Sequence, residues 1–330
     1  ISFQVRILSL STSTLYSVTN VDENKNGGAP LKKREIGKSG LYVSELGLGC
    51  MSFPDDLNVV KTIVDAALHA GINFFDTADL YAGGKNEAMV GEVLKGRRDE
   101  IILATKVGNR MIPGEEGWRW DSSKEYIKEA VKESLKRLGT DYIDLYQLHG
   151  GTMEDDVSET IEAFEDLKKE GVIRQYGISS IRPNVIERFL RDSSAISVMM
   201  QYSLLDRRPE EWFPMIREAG ASVITRGTLA KGLLTGEGIS RVGKVDGFAA
   251  YDAEHLQRTV GEVHETASDV HALALSFNLN EDVVSSALIG ASSKNQLLDS
   301  IVAYEATVEK SEIASISQIT EAHRYEQHRP

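Results

Sequence analysis

The chain of 330 residues contains a single cysteine, Cys50, which excludes an intrachain disulfide and any cysteine-rich zinc site and suits a reducing compartment. It is also short of positive charge: Lys and Arg number 37 against 50 Asp and Glu, a formal charge of −13. A surface this acidic repels phosphate backbones unless its cations cluster, so nucleic acid is not an expected partner. No stretch approaches the roughly 20 continuous apolar residues of a membrane-spanning helix, which predicts a soluble, cytoplasmic chain without a membrane partner. A signal peptide is not expected either. Its apolar core needs about 7 to 15 residues, and residues 7–10 are too few and interrupted by serine. Residues 1–32 hold no helical or strand period for long and read as an extension, disordered or left by cloning or an upstream leader.

What is present is an ordinary globular composition, 41% hydrophobic and 26% charged, enough to build a large buried core. A hairpin-like unit comes first: Lys33-Arg34-Glu35-Ile36-Gly37, a Lys38-Ser39-Gly40 turn and Leu41-Tyr42-Val43, with Ser-Gly supplying the tight turn. Short runs rich in β-branched, aromatic and apolar residues then recur at 46–51, 73–77, 101–107, 142–148, 172–179, 196–202, 222–226 and 283–290. Between them apolar residues fall at helical spacing, as in Ile127, Ala130, Val131, Leu135 and Leu138, opened by Ser122 and Glu125 in capping-box spacing. Nearly continuous apolar strands alternating with amphipathic helices call for a parallel sheet covered by helices. An open doubly wound sheet wants a glycine-rich phosphate loop after its first strand, and Gly47-Leu48-Gly49-Cys50 lacks the third glycine. Eight repeats predict instead a single α/β domain over 33–330, a (β/α)8 TIM barrel with an N-terminal β-hairpin.

Polar residues gather where these strands end: Asp76 and Thr77, Lys106, His149, Ser179 and Ser180, Gln201, and Arg226. In a closed barrel those ends converge on one rim, where barrel enzymes build their sites. Each residue alone has an ordinary explanation, such as helix capping for Asp76. Their joint placement points to chemistry.

Four separated segments, Asp76-Thr77-Ala78-Asp79-Leu80-Tyr81, Leu103-Ala104-Thr105-Lys106, Asp141-Tyr142-Ile143-Asp144-Leu145-Tyr146-Gln147-Leu148-His149 and Gly177-Ile178-Ser179, together resemble the signature of the aldo-keto reductases of bacterial type. The resemblance runs from about Lys33 to Tyr304. It implies a barrel that binds NADPH, with NADH left open, and Asp76, Tyr81, Lys106 and His149 as the catalytic group. The chemistry of these types agrees. A nicotinamide supplies a hydride, so carbonyl reduction also needs a proton donor, and an ammonium that stabilises a phenolate makes a phenol a better acid. Tyr81 then gives the proton, Lys106 assists, Asp76 keeps the lysine charged, and neutral His149 donates to the carbonyl oxygen.

The same resemblance implies cofactor contacts at Cys50, Met51, Asp76, Ser179, Ser180 and Gln201. It adds the loop Arg226, Gly227, Leu229, Lys231 and Gly232 over the pyrophosphate, and Gly290, Ser292, Ser293, Gln296 and Ser300 near the adenosine 2′-phosphate. Ser180 stands where many members carry asparagine. Arg226 stands where many carry an aromatic residue: it either stacks on the nicotinamide, where its charge disfavours the oxidised ring, or pairs with an acidic rim residue or a phosphate. For the substrate, Tyr81, His149, Trp118 and Trp120 are expected, the two tryptophans forming an apolar wall or simply packing the loop; Met51, Phe53 and Trp212 are weaker candidates. His264, His271, His323 and His328 lack metal-ligand spacing and read as surface residues, and no metal is expected. The activity implied is NADPH-dependent reduction of aldehydes and some ketones, small-molecule carbonyl compounds; the alternative is a cofactor-binding regulatory subunit of the same fold with little turnover.

Overall fold

In the computed structural model, which describes residues 31–112, 114 and 116–329, each of the eight apolar runs contributes one strand. They are β1 (Leu46–Gly49), β2 (Phe74–Asp76), β3 (Ile102–Val107), β4 (Ile143–His149), β5 (Ile173–Ser179), β6 (Ser197–Gln201), β7 (Ser222–Arg226) and β8 (Val284–Gly290). Each pairs in parallel with the next, and β8 pairs with β1 through Ala287↔Leu46 to Gly290↔Gly49, closing the (β/α)8 barrel. The expected strand boundaries hold to within a few residues, with one instructive difference. β1 stops at Gly49 rather than running to Met51, because the Cys50 carbonyl accepts from Asn86 Nδ2 at 2.8 Å and Cys50–Ser52 forms a 3-10 turn.

The hairpin forms from Lys33–Glu35 and Tyr42–Ser44 and closes the amino-terminal end of the barrel. Its Ile36 and Val43 are fully buried against Phe74, Leu145, Met199, Ile224 and Leu288. Gly37 is needed at its turn: the residue has φ +56°, and a Cβ there would lie 2.7 Å from the Ile196 carbonyl oxygen. Leu31 and Lys32, counted above with the extension, belong to this end. Leu31 is buried and the Lys32 carbonyl accepts from Glu45 N at 2.8 Å. Residues 1–30 lie outside the described residues.

The helices form where spacing and caps coincide. Leu57–His69 is opened by Asp56, whose carboxylate accepts from the amides of Asn58 and Val59, and it buries Val60, Ile63, Val64 and Ala67. Lys124–Leu138 starts one residue later than the capping-box reading, at Ser123, whose hydroxyl accepts from Tyr126 N. Ser122 instead offers its carbonyl to the Thr160 hydroxyl on the next helix. Between barrel and helices sits an aromatic cluster, with Phe164 stacked on Tyr176 at 5.2 Å and edge-on to Tyr146 and Phe189. After the last helix, Lys310–Ile319, the tail returns toward β5 and β6: Tyr325 is buried, and the His328 carbonyl accepts from Asn184 N.

Candidate active site

Asp76 ends β2, Lys106 lies in β3 and His149 ends β4, so three adjacent strands bring their side chains to one sector of the carboxyl-terminal rim. Lys106 is fully buried. Its ammonium directs its N–H bonds at Asp76 Oδ2 (2.6 Å), the Thr77 carbonyl (2.7 Å) and the Tyr81 hydroxyl (3.4 Å). Burial alone would strip that proton, but the charge of Asp76 and the Tyr81 hydroxyl outweigh it and hold Lys106 above the ordinary lysine value. Burial also pushes the Asp76 carboxyl up, opposed by Lys106 and by Gln147.

Gln147, a residue the sequence reading did not single out, donates from Nε2 to Asp76 Oδ1 at 3.2 Å. Its signal was available: it lies two residues before His149 and therefore on the same face of β4. The Tyr81 and His149 rings meet edge to face with centroids 6.0 Å apart. Burial, with the like charges of Lys106 and Arg226 adding to it, pushes His149 down to about 3, so the imidazole is neutral at physiological pH. Its Nδ1 is buried without a hydrogen-bond partner.

Tyr81 sits on a tight loop, with Ala82, Gly83 and Gly84 at φ 48°, 66° and 83°. The following helix, Lys85–Val93, turns two polar residues inward to hold that loop. Asn86 accepts from the Thr77 hydroxyl at 2.6 Å, and Glu87 accepts from the Thr105 hydroxyl at 2.6 Å and from Arg137 Nε at 2.7 Å. Thr77 and Thr105 adjoin Asp76 and Lys106, so this buried network braces both members of the ion pair. Asp79 beside it has one carboxylate oxygen unpaired, and burial together with the charge of Glu87 pushes it up to about 7.

The remaining expected site residues divide into two groups. Ser179 ends β5 and Ser180 follows it, both buried, Gln201 ends β6, and Arg226 ends β7, where its Nη1 donates to Gln201 Oε1 at 3.0 Å. The loop after it carries left-handed backbone at Gly227, Ala230, Lys231 and Gly232, with Gly227 and Lys231 exposed and Leu229 packed on the core. Gly290 and Ser292 are exposed, Gln296 Oε1 accepts from both the amide and the hydroxyl of Ser292, and Ser293 caps the helix Lys294–Glu305.

A dinucleotide fits this rim: it offers a helix start whose free N–H groups suit an anion, a loop folded back by four left-handed residues, and a Gln201 amide oxygen engaged by the Arg226 guanidinium. Two expected residues fit poorly. Cys50 is fully buried, its thiol in the core, where burial pushes it up, and its carbonyl taken by Asn86 Nδ2, so neither end of the residue is exposed at the rim. Ser300 is buried, with its hydroxyl against His271 Nε2 and the Gln296 carbonyl.

Met51 and Trp118 are exposed, whereas Trp120 is wedged between the ends of β3 and β4. A Cβ on Gly108 or Gly150 would meet its ring at 2.6 or 2.8 Å, and its indole N–H donates to Asp155 at 2.8 Å. Trp120 therefore packs the loop. Phe53 and Trp212 are half-buried against the core. His264 and His271 are not surface residues, being half-buried against the Leu233 carbonyl and Ser300. Among the described residues no three His, Cys, Asp or Glu gather as metal ligands, and no helix is long and apolar enough to cross a membrane.

Residues 45–321 match the model of the aldo/keto reductase family. The chain is 50% identical over 305 residues to the uncharacterized oxidoreductase YqkF of Bacillus subtilis, covering 91% of this chain and 100% of that one. It is 28% identical over 330 residues to the NADH-specific methylglyoxal reductase of Escherichia coli, covering 88% and 99%. The holo form of aldo-keto reductase AKR11C1 from Bacillus halodurans superimposes with a TM-score of 0.85 at 54% identity, over 91% of this chain and 100% of that one. With the barrel closed, the family model spanning nearly all of it and half the residues shared with a full-length relative, this oxidoreductase belongs to the aldo/keto reductase family.

Proposed function

We propose that this oxidoreductase reduces aldehydes, and some ketones, to alcohols with NADPH, as a cytoplasmic enzyme. The observation that carries the reading is the Lys106 ammonium, held 2.6 Å from Asp76 and 3.4 Å from the Tyr81 hydroxyl, with His149 beside the same tyrosine. Bound NADPH supplies a hydride. Tyr81 gives its hydroxyl proton to the oxygen of the reduced carbonyl, and the Lys106 N–H directed at that hydroxyl stabilises the phenolate left behind. Asp76 keeps Lys106 charged and oriented, and Gln147 holds the other Asp76 oxygen. His149 is neutral, so it donates a hydrogen bond where charge develops on the substrate oxygen and leaves proton transfer to Tyr81.

On this reading Ser179, Ser180 and Gln201 hold the nicotinamide carboxamide, the 226–232 loop covers the pyrophosphate, and Ser292, Ser293, Lys294 and Gln296 take the 2′-phosphate. Lys294 is the single basic residue of the 290–297 segment. That scarcity, with the NADH specificity carried in the name of the Escherichia coli relative, supports NADH as the second reading. The ratio of kcat/KM with the two cofactors decides between them; on the NADPH reading Lys294→Ala lowers it roughly tenfold through one lost charge-assisted contact.

Oxidation of NADPH followed with a panel of aldehydes tests the activity. Tyr81→Phe should lose roughly 10² to 10⁴ in kcat, the worth of general acid catalysis, while binding NADPH as before. Tight NADPH binding by the unaltered protein without turnover of any aldehyde would support the regulatory-subunit reading instead.

A further inference from the structure

Gln201 lies between two groups of opposite hydrogen-bonding character. Its Nε2 donates to Asp206 Oδ2 at 2.8 Å, and its Oε1 accepts from Arg226 Nη1 at 3.0 Å. A carboxylate only accepts and a guanidinium only donates, so the amide has one allowed orientation. Flipping it would set nitrogen against guanidinium and oxygen against carboxylate.

Asp206 is built to impose this. Its side chain is fully buried, and Arg208 grips it bidentately, Nε to Oδ1 and Nη2 to Oδ2, both at 2.7 Å. Its backbone is locked as well, because Ser203 and Asp206 exchange N–H to carbonyl bonds at 3.2 and 2.9 Å across a tight turn after β6. Arg208 in turn stacks over the ring of Tyr325, 4.9 Å from its centroid, which covers the group from the tail side.

We infer that Asp206 is a positioning residue: it locks the Gln201 amide with its oxygen toward the rim, so that Gln201 acts only as acceptor for the N–H of the nicotinamide carboxamide. This rests on the proposed placement of Gln201 beside the nicotinamide. The carboxamide oxygen is then left to donors elsewhere, the Ser179 and Ser180 hydroxyls, and the carboxamide has one way to sit. Asp206 selects that way without touching the cofactor.

The experiment compares NADPH with its 3-acetylpyridine analogue, in which a methyl group replaces the carboxamide NH2, by fluorescence titration of the full chain. The unaltered enzyme is expected to bind NADPH about tenfold more tightly than the analogue, the worth of one such bond, and Gln201→Ala should abolish the preference. Asp206→Asn puts an amide against Gln201 and removes the acceptor-only constraint. Arg226 Nη1 still donates to Gln201 Oε1, so this variant should lower the preference to about threefold, leave the aldehyde KM at saturating NADPH unchanged, and add nothing in the Gln201→Ala background. If Asp206→Asn fails to fold, Asp206→Leu with Arg208→Met removes both members of the ion pair together, a replacement cores often accept, and should give the same loss.

A preference undiminished in a folded Asp206 variant while Gln201→Ala loses it overturns the role of Asp206 alone, as does a further loss from Asp206→Asn in the Gln201→Ala background. A Gln201→Ala enzyme that binds both compounds as the unaltered one does overturns the placement of Gln201 and the inference with it.

Discussion

Replacing Lys106 by methionine separates the electrostatics of this site from its shape. Methionine has similar length and adaptable packing but no charge, so the variant loses the bonds to Asp76, Thr77 and Tyr81 together. What remains is the Asp76 carboxyl, its side chain 5% exposed, with Gln147 at 3.2 Å on one oxygen. Breaking a buried pair by removing one partner costs about 3–5 kcal/mol, because the other charge is left uncompensated.

The pH dependence identifies the cause. Lys106 is held above the ordinary lysine value, so its stabilisation is complete below the unfolded lysine pKa of about 10.4 and is lost only as pH rises through the folded value. In the variant Asp76, already pushed up by burial, loses its compensating ammonium. The native state then holds a proton at pH values where the unfolded carboxyl, near about 3.9, has released it. Stability of Lys106→Met therefore rises as pH falls, by up to about 1.4 kcal/mol per pH unit. Urea unfolding of both proteins between pH 5 and pH 8 should show a gap that is widest at pH 8 and narrows on acidification, alongside loss of most aldehyde reduction. A gap that is constant with pH, or below about 1 kcal/mol where breaking a buried pair costs several, would mean that Asp76 is not left as an uncompensated buried charge.

Further expectations follow from neighbouring groups. His149 stays neutral from pH 5 to pH 8 because it is pushed down to about 3, so kcat/KM shows no histidine inflection there, and His149→Ala lowers kcat roughly 10² to 10³-fold, the worth of one oxyanion-type donor. The unfolded chain holds a proton that buried His149 refuses, so stability falls as pH drops from about 6.5 toward 3, and His149→Ala reduces that fall. Asp79 runs the other way. Pushed up to about 7, it costs stability as pH rises from 4 to 7, so Asp79→Asn should stabilise the protein at pH 8 and leave it nearly unchanged at pH 4 in thermal melts. Phe164→Ala empties the centre of the aromatic cluster and should cost about 3–5 kcal/mol in urea unfolding. Arg226→Tyr removes a cation from the rim and should improve binding of oxidised relative to reduced cofactor roughly fivefold, the worth of about 1 kcal/mol; an unchanged ratio in fluorescence titration counts against a field effect on the nicotinamide.

The barrel was legible because its signal is local. A strand buried on both faces is apolar nearly throughout, so eight such runs can be counted without knowing their partners, and closure leaves few arrangements for eight βα units. Strand ends then placed Asp76, Lys106 and His149 together, and Gln147 was available to the same period-two reasoning. Where a boundary moved, a partner distant in sequence moved it: Asn86 ends β1 at Gly49 by taking the Cys50 carbonyl.

The strand count, the family motifs and the residues that meet at the centre of the candidate site were readable from the chain alone, since each depends on residue type at short spacing. Which polar groups meet across the chain depends on the folded barrel. Trp120 packs between Gly108 and Gly150, Ser300 turns inward to His271, and Asp206 and Arg226 meet opposite ends of the Gln201 amide. None of these has a periodic signature. A hydrogen bond needs its partners within about 3 Å and aligned, and at these positions only closure of the barrel and the return of the tail bring them that close.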